Sequence, residues 1–190
     1  MHTRGFTLIE LMVSVTIFII VMVISLGSLL SISSAERKAE SLKTVMNNLH
    51  FALDSMSRSI RTGIDYHCTS SAPLDQSQDC PSGDDYFAFR SVDSAQGTVV
   101  YCQGNGSSCS SSGTAILRSV NGGNFSPITA PEVDITSLTF YVVGSVSEFD
   151  NDPISFQPKV VITLTGEVPL GTQLTSFNLQ TSVTQRLYDQ

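Results

Sequence analysis

Glu10 is the residue whose type and position promise chemistry first. It is the one ionisable group in the apolar run that extends from Phe6 to Leu30. An ionised carboxylate inside hydrocarbon costs roughly 3 kcal/mol or more, so such a group is paired with a cation or placed for a purpose. Cys68, Cys80, Cys102 and Cys109 form the second set. In an oxidising compartment an even count implies two disulfides, and four cysteines allow three connectivities. Nearest-neighbour pairing is the simplest of the three, closing polar loops between Cys68 and Cys80 and between Cys102 and Cys109. Structural zinc held by all four is the competing chemistry, but neither pair has the short ligand gap of such sites. Glu148, Asp150 and Asp152 form a third set, hard oxygen donors of the kind calcium takes. They lack EF-hand spacing, and a solvated acidic loop is the preferred reading. His2, His50 and His67 have no serine or cysteine in a nucleophile setting, so no enzyme activity and no cofactor are expected.

The element that must position Glu10 is the run itself. About 25 residues of apolar sequence suffice to cross a bilayer as a helix. The run exceeds the usual signal-peptide apolar region of roughly 7–15 residues, its basic leader is short, and no small-x-small cleavage site follows it. Beyond Ser34 the pattern turns amphipathic. Leu42, Val45, Met46, Leu49, Ala52, Leu53, Met56 and Ile60 recur at three- and four-residue spacing, with Lys43, Asn47, His50, Asp54, Arg58 and Arg61 opposite. No proline interrupts Phe6 to Gly63, which predicts one continuous helix of about 57 residues with Gly63 as its stop. Gly27 is its weak point, at about 1 kcal/mol for a glycine in a helix interior.

Residues 63–83 read as a polar loop. Strands are predicted at Tyr86–Val92, Thr98–Cys102, Thr114–Val120, Ile135–Val143, Lys159–Thr165 and Thr175–Thr184, separated by Gly, Ser, Asn and Pro. Leu138, Phe140 and Val142 alternate with polar neighbours, as do Val160, Ile162 and Leu164, and Phe177, Leu179 and Val183. Such alternation describes an antiparallel sheet with one buried face, for which the helix stripe from Leu42 to Ile60 is the natural cover. The fold class expected is α+β. A formal charge of −7 and scattered basic residues argue against nucleic acid as a partner.

Gly5-Phe6-Thr7-Leu8-Ile9-Glu10-Leu11-Met12-Val13 closely resembles the amino terminus of type IV prepilins and type II secretion pseudopilins. The resemblance implies a pilin fold. It also implies a leader (residues 1–5) cut after Gly5 by a prepilin peptidase, N-methylation of the exposed Phe6, and an apolar half-helix (6–33) that serves as membrane anchor and then filament core. An amphipathic half-helix (34–63) and an exported antiparallel β head (64–190) follow. Loss of Arg4 with the leader would leave nine Lys/Arg against seventeen Asp/Glu, a formal charge of −8. In this family the Glu10 carboxylate would pair with the freed Phe6 amine of a neighbouring subunit and set its axial register. Partners would be other pilin or pseudopilin subunits through the helix, the processing enzyme and the inner membrane. Arg4, His2 and the amino terminus precede the span, while Glu36, Arg37, Lys38 and Glu40 cancel after it. The leader then lies in the cytoplasm and the head outside. Segments 45–61, 135–141 and 158–164 look like minor pilins of the PilW class and J-type pseudopilins. A bulk major subunit is the runner-up within filaments. A signal-anchored envelope binding protein or adhesin that never polymerises is the alternative from another class.

Overall fold

The computed structural model describes Gly5 and residues 7–69, 76–93, 96–145, 157–170 and 173–186. Its first element, α1, runs Leu8–Arg61 without interruption. The chain divides into two compact units, one ending at Ser41 and one beginning at Leu42. In the first unit every large apolar side chain from Leu8 to Ile32 is exposed. A helix apolar on all sides needs a covering of lipid or other helices.

In the second unit α1 buries Val45, Leu49, Ala52, Leu53, Met56 and Ile60, with Leu42 and Met46 packed beside them. This is the stripe that the three- and four-residue spacing predicts. Beyond the helix the described residues form ten strands. These are β1 (Gly63–His67), β2 (Cys80–Asp84), β3 (Tyr86–Ser91), β4 (Thr98–Asn105), β5 (Ser108–Cys109), β6 (Ala115–Val120), β7 (Ser126–Pro127), β8 (Asp134–Val143), β9 (Lys159–Leu170) and β10 (Gln173–Thr184).

The α+β class with antiparallel β structure is as expected, and the strands divide between two sheets. One sheet is ordered β1-β3-β4-β6-β7, with β5 on β4; a second is ordered β10-β9-β8-β2, and all pairs are antiparallel. The supposed loop at 63–83 contains two strands. Gly63 and Asp65 in β1, and Pro81, Ser82 and Gly83 in β2, are turn-type residues that hide a strand from a propensity reading. Tertiary pairing overrides them. Gly63 is also more than a helix stop: it opens β1, and a Cβ there would overlap the Phe89 ring.

The two sheets share one core with α1. Phe87 of the first sheet stacks on Phe140 of the second, ring centroids 5.2 Å apart. Gln103, almost wholly buried, ties them by hydrogen bonds. Its amide nitrogen donates to the carbonyls of Gly113 (2.7 Å) and Ile135 (3.4 Å), and its oxygen accepts from the Leu138 N–H (3.0 Å). The last carbonyls of α1 are satisfied as well. The Tyr66 hydroxyl lies 2.6 Å from the Ile60 carbonyl oxygen, and the Arg186 N–H donates to that of Arg61 at 2.9 Å.

Burial raises the phenols of Tyr66, Tyr86 and Tyr101 above the ordinary 10; at Tyr101, Arg118 and a Ser59 hydrogen bond act weakly the other way. A group whose folded value is raised holds its full contribution below the unfolded value and loses it as pH climbs beyond. Stability against denaturant is therefore expected to be flat from neutral pH to about 9.5 and to fall from about 10 upward. Absorbance titration of phenolate beside unfolding curves checks this. Normal titration of all three tyrosines in the folded protein would contradict it.

Candidate functional site

The first unit places Gly5, exposed, just before the helix, and Thr7 at its N-cap. The Glu10 N–H donates to Thr7 Oγ1 at 3.4 Å and the Leu11 N–H to the Thr7 carbonyl at 3.2 Å. Thr7-Leu8-Ile9-Glu10 is thus the Thr-x-x-Glu pattern of a capping box. An acid in the first turn also complements the partial positive charge of the helix amino end. The bond observed is the one that Thr7 makes to the Glu10 main chain.

Three hydroxyls along the apolar helix are closed on their own backbone. Ser14 Oγ donates to the Glu10 carbonyl (2.9 Å), Ser25 Oγ to that of Val21 (2.8 Å), and Thr16 Oγ1 to that of Met12. They add no unsatisfied donor to an apolar surrounding. Glu10 is therefore the charged exception on a surface otherwise ready for lipid or neighbouring helices, and its side chain is exposed there. Phe6, Met1 to Arg4 and hence His2 lie outside the described residues.

In the second unit the cysteines form two disulfides, Cys68–Cys80 with Cα atoms 6.1 Å apart and Cys102–Cys109 with Cα atoms 5.7 Å apart. The first joins the end of β1 to β2, and so one sheet to the other. The second closes the β4–β5 hairpin, whose turn is made at Gly106 with φ 61°. The four sulfurs do not form one centre. His67 is buried, its Nδ1 3.2 Å from the Asp65 carbonyl oxygen, while His50 is exposed on α1.

Glu148, Asp150 and Asp152 lie outside the described residues. Among the described residues no group of three or more His, Cys, Asp or Glu side chains stands together as metal ligands. The stretch before them is fixed by a residue that the sequence reading did not single out. Asp79 accepts from the N–H groups of Gly144 (3.1 Å) and Ser145 (2.6 Å), and Ser145 Oγ donates to the Tyr66 carbonyl (2.9 Å).

A family model described as the prokaryotic N-terminal methylation motif matches residues 1–26. No curated protein and no solved structure matches the chain. The motif, followed by a long apolar helix and an antiparallel β region, supports a type IV pilin-like protein. It implies processing by a prepilin peptidase and association with other pilin-like subunits. The motif and the apolar helix also support membrane anchoring.

Proposed function

We propose that the chain is a minor pilin or pseudopilin, a non-enzymatic subunit that primes, caps or tunes the assembly of a type IV pilus or a type II secretion pseudopilus. The observation that carries this reading is the methylation motif at the head of an apolar half-helix whose large apolar side chains from Leu8 to Ile32 are all exposed. That surface is served first by the inner membrane and then by the helices of a filament. The head is clipped by two disulfides, which favours a specialised subunit over a bulk one.

The mature chain begins at Phe6, N-methylated, after cleavage of the Gly5–Phe6 bond. Its amino end starts on the cytoplasmic side and its head folds outside, where the disulfides form. Within the filament the freed amine of Phe6 meets the Glu10 carboxylate of a neighbour, each offsetting the desolvation of the other.

Intact-mass measurement of membrane and sheared-filament fractions tests it. A chain that starts at methylated Phe6 and appears in both fractions is expected, and replacing Gly5 by leucine should leave the precursor uncut. A chain that retains Met1, found in membranes alone, would make it a signal-anchored protein that does not polymerise.

A further inference from the structure

Among the described residues five strands have a sheet neighbour on one side only: β1, β5 and β7 in one sheet, β10 and β2 in the other. An end strand offers unpaired N–H and C=O groups to whatever approaches. Natural proteins blunt such edges with short lengths, prolines, bulges and charges. Four of the five are blunted in these ways, β5 by its length of two residues. β7 is two residues long and contains Pro127. β2 contains Pro81, shifts register between Cys80 and Asp84, and is held by the Cys68–Cys80 disulfide. β1 shifts register between Ile64 and His67, and Asp65 within the shift has φ 57° and pairs with Arg90.

β10 has none of these devices. Gln173–Thr184 contains no proline, no glycine and no charged residue, and its 12 residues pair with β9 in unbroken register. The main-chain groups that it turns away from β9 have no main-chain partner among the described residues. Its core-facing side is incompletely covered: Val183 is buried, but Phe177 and Leu179 are only half-buried. Beside Leu179 a cleft of about 280 Å³ opens between α1 and β10, lined by His50, Leu53, Asp54, Ser57, Leu179 and Thr181, among others.

We propose that β10 accepts an added strand from another polypeptide, an extended segment with apolar side chains at alternate positions and no carboxylate, which seats one apolar side chain in the cleft between α1 and β10. The edge itself selects an extended chain. Its free groups repeat every second residue, about 6.8 Å apart, a spacing that only another extended main chain can match along its length. Phe177 and Leu179 call for apolar neighbours on the core side, where cross-strand pairs act. The formal charge of −7 disfavours an acidic partner, while Asp54 in the cleft is itself paired with Arg58 at 2.9 Å. The inference rests on the β region alone and holds whether or not the chain enters a filament.

Backbone hydrogen exchange of the full-length protein in detergent micelles tests it. The probe is a synthetic peptide of alternating valine and threonine ending in lysine. The peptide is expected to slow exchange in Gln173–Thr184 by about tenfold or more and to leave β1, β2 and β7 unchanged. The same peptide with alternate amides N-methylated should do nothing. Thr181→Lys, which fills the cleft with an ammonium, should abolish the protection while the β9 amides stay protected. Unchanged exchange in β10, equal protection at every edge strand, or protection by the N-methylated peptide would overturn the proposal. So would concentration-dependent protection of β10 without peptide, which would assign the edge to a second copy of this chain.

Discussion

Gln103→Leu is expected to destabilise the β region by roughly 3–6 kcal/mol, a large share of the 5–15 kcal/mol that holds a typical domain together. The side chain is of similar size, so packing volume is not the cause. Three buried main-chain groups lose their partners at once: the carbonyls of Gly113 and Ile135, and the N–H of Leu138. Each orphaned group costs about 1–3 kcal/mol. Because Gln103 stands in β4 and Leu138 in β8, the loss falls where the two sheets meet. Gln103→Glu keeps an acceptor for Leu138 but turns an oxygen toward the two carbonyls, and should be as harmful at neutral pH. Gln180→Leu, on the exposed face of β10, is the control and should stay within about 0.5 kcal/mol of wild type. Denaturant unfolding of the full-length protein in micelles measures all three. A Gln103→Leu protein within about 1 kcal/mol of wild type would show that water or relaxation satisfies these groups.

The parts of this fold that the sequence makes legible are those where one periodicity acts alone. The stripe from Val45 to Ile60 is set by helical spacing, and β9 and β8 from Leu138 onward by strict alternation, so burial there follows the pattern residue by residue. β1 and β2 are invisible to the same reasoning, because Gly63, Asp65, Pro81 and Gly83 are chosen by their neighbours. Phe89 needs the missing Cβ of Gly63, and Gly83 has φ 78° against Thr139 and Tyr141. β10 shows the opposite effect: its alternation predicts a buried face, yet its place at the end of the sheet leaves Phe177 and Leu179 half covered. Gln103 follows Val99-Val100-Tyr101-Cys102 as an apparent polar end to a strand, and nothing in that run states which carbonyls it will reach. At the amino end the lone carboxylate in an apolar run is plain. Thr7-Leu8-Ile9-Glu10 spells a capping box in the same letters, a second meaning that the charge argument does not use.

That double meaning sharpens the test of Glu10. A capping box accepts glutamine as well as glutamate at its fourth position, so Glu10→Gln should leave the start of α1, membrane insertion and cleavage after Gly5 intact. What it removes is the charge. In the proposed filament the freed Phe6 amine of a neighbour would then be an ammonium without a counter-charge in low dielectric. Breaking such a pair costs about 3–5 kcal/mol, enough at about 1.4 kcal/mol per decade to lower incorporation by a hundredfold or more. Glu10→Asp keeps the charge on a shorter reach and should fall between. The quantity to compare is subunit content of sheared filaments relative to membranes, for wild type, Asp and Gln, each with its amino terminus confirmed by mass. Equal incorporation of all three would leave Glu10 with its place in the first turn of the helix alone. A subunit without a neighbour's amine to meet, at a filament terminus or outside any filament, would behave in that way, whereas a graded loss from Glu to Asp to Gln requires a charged partner within reach of the carboxylate.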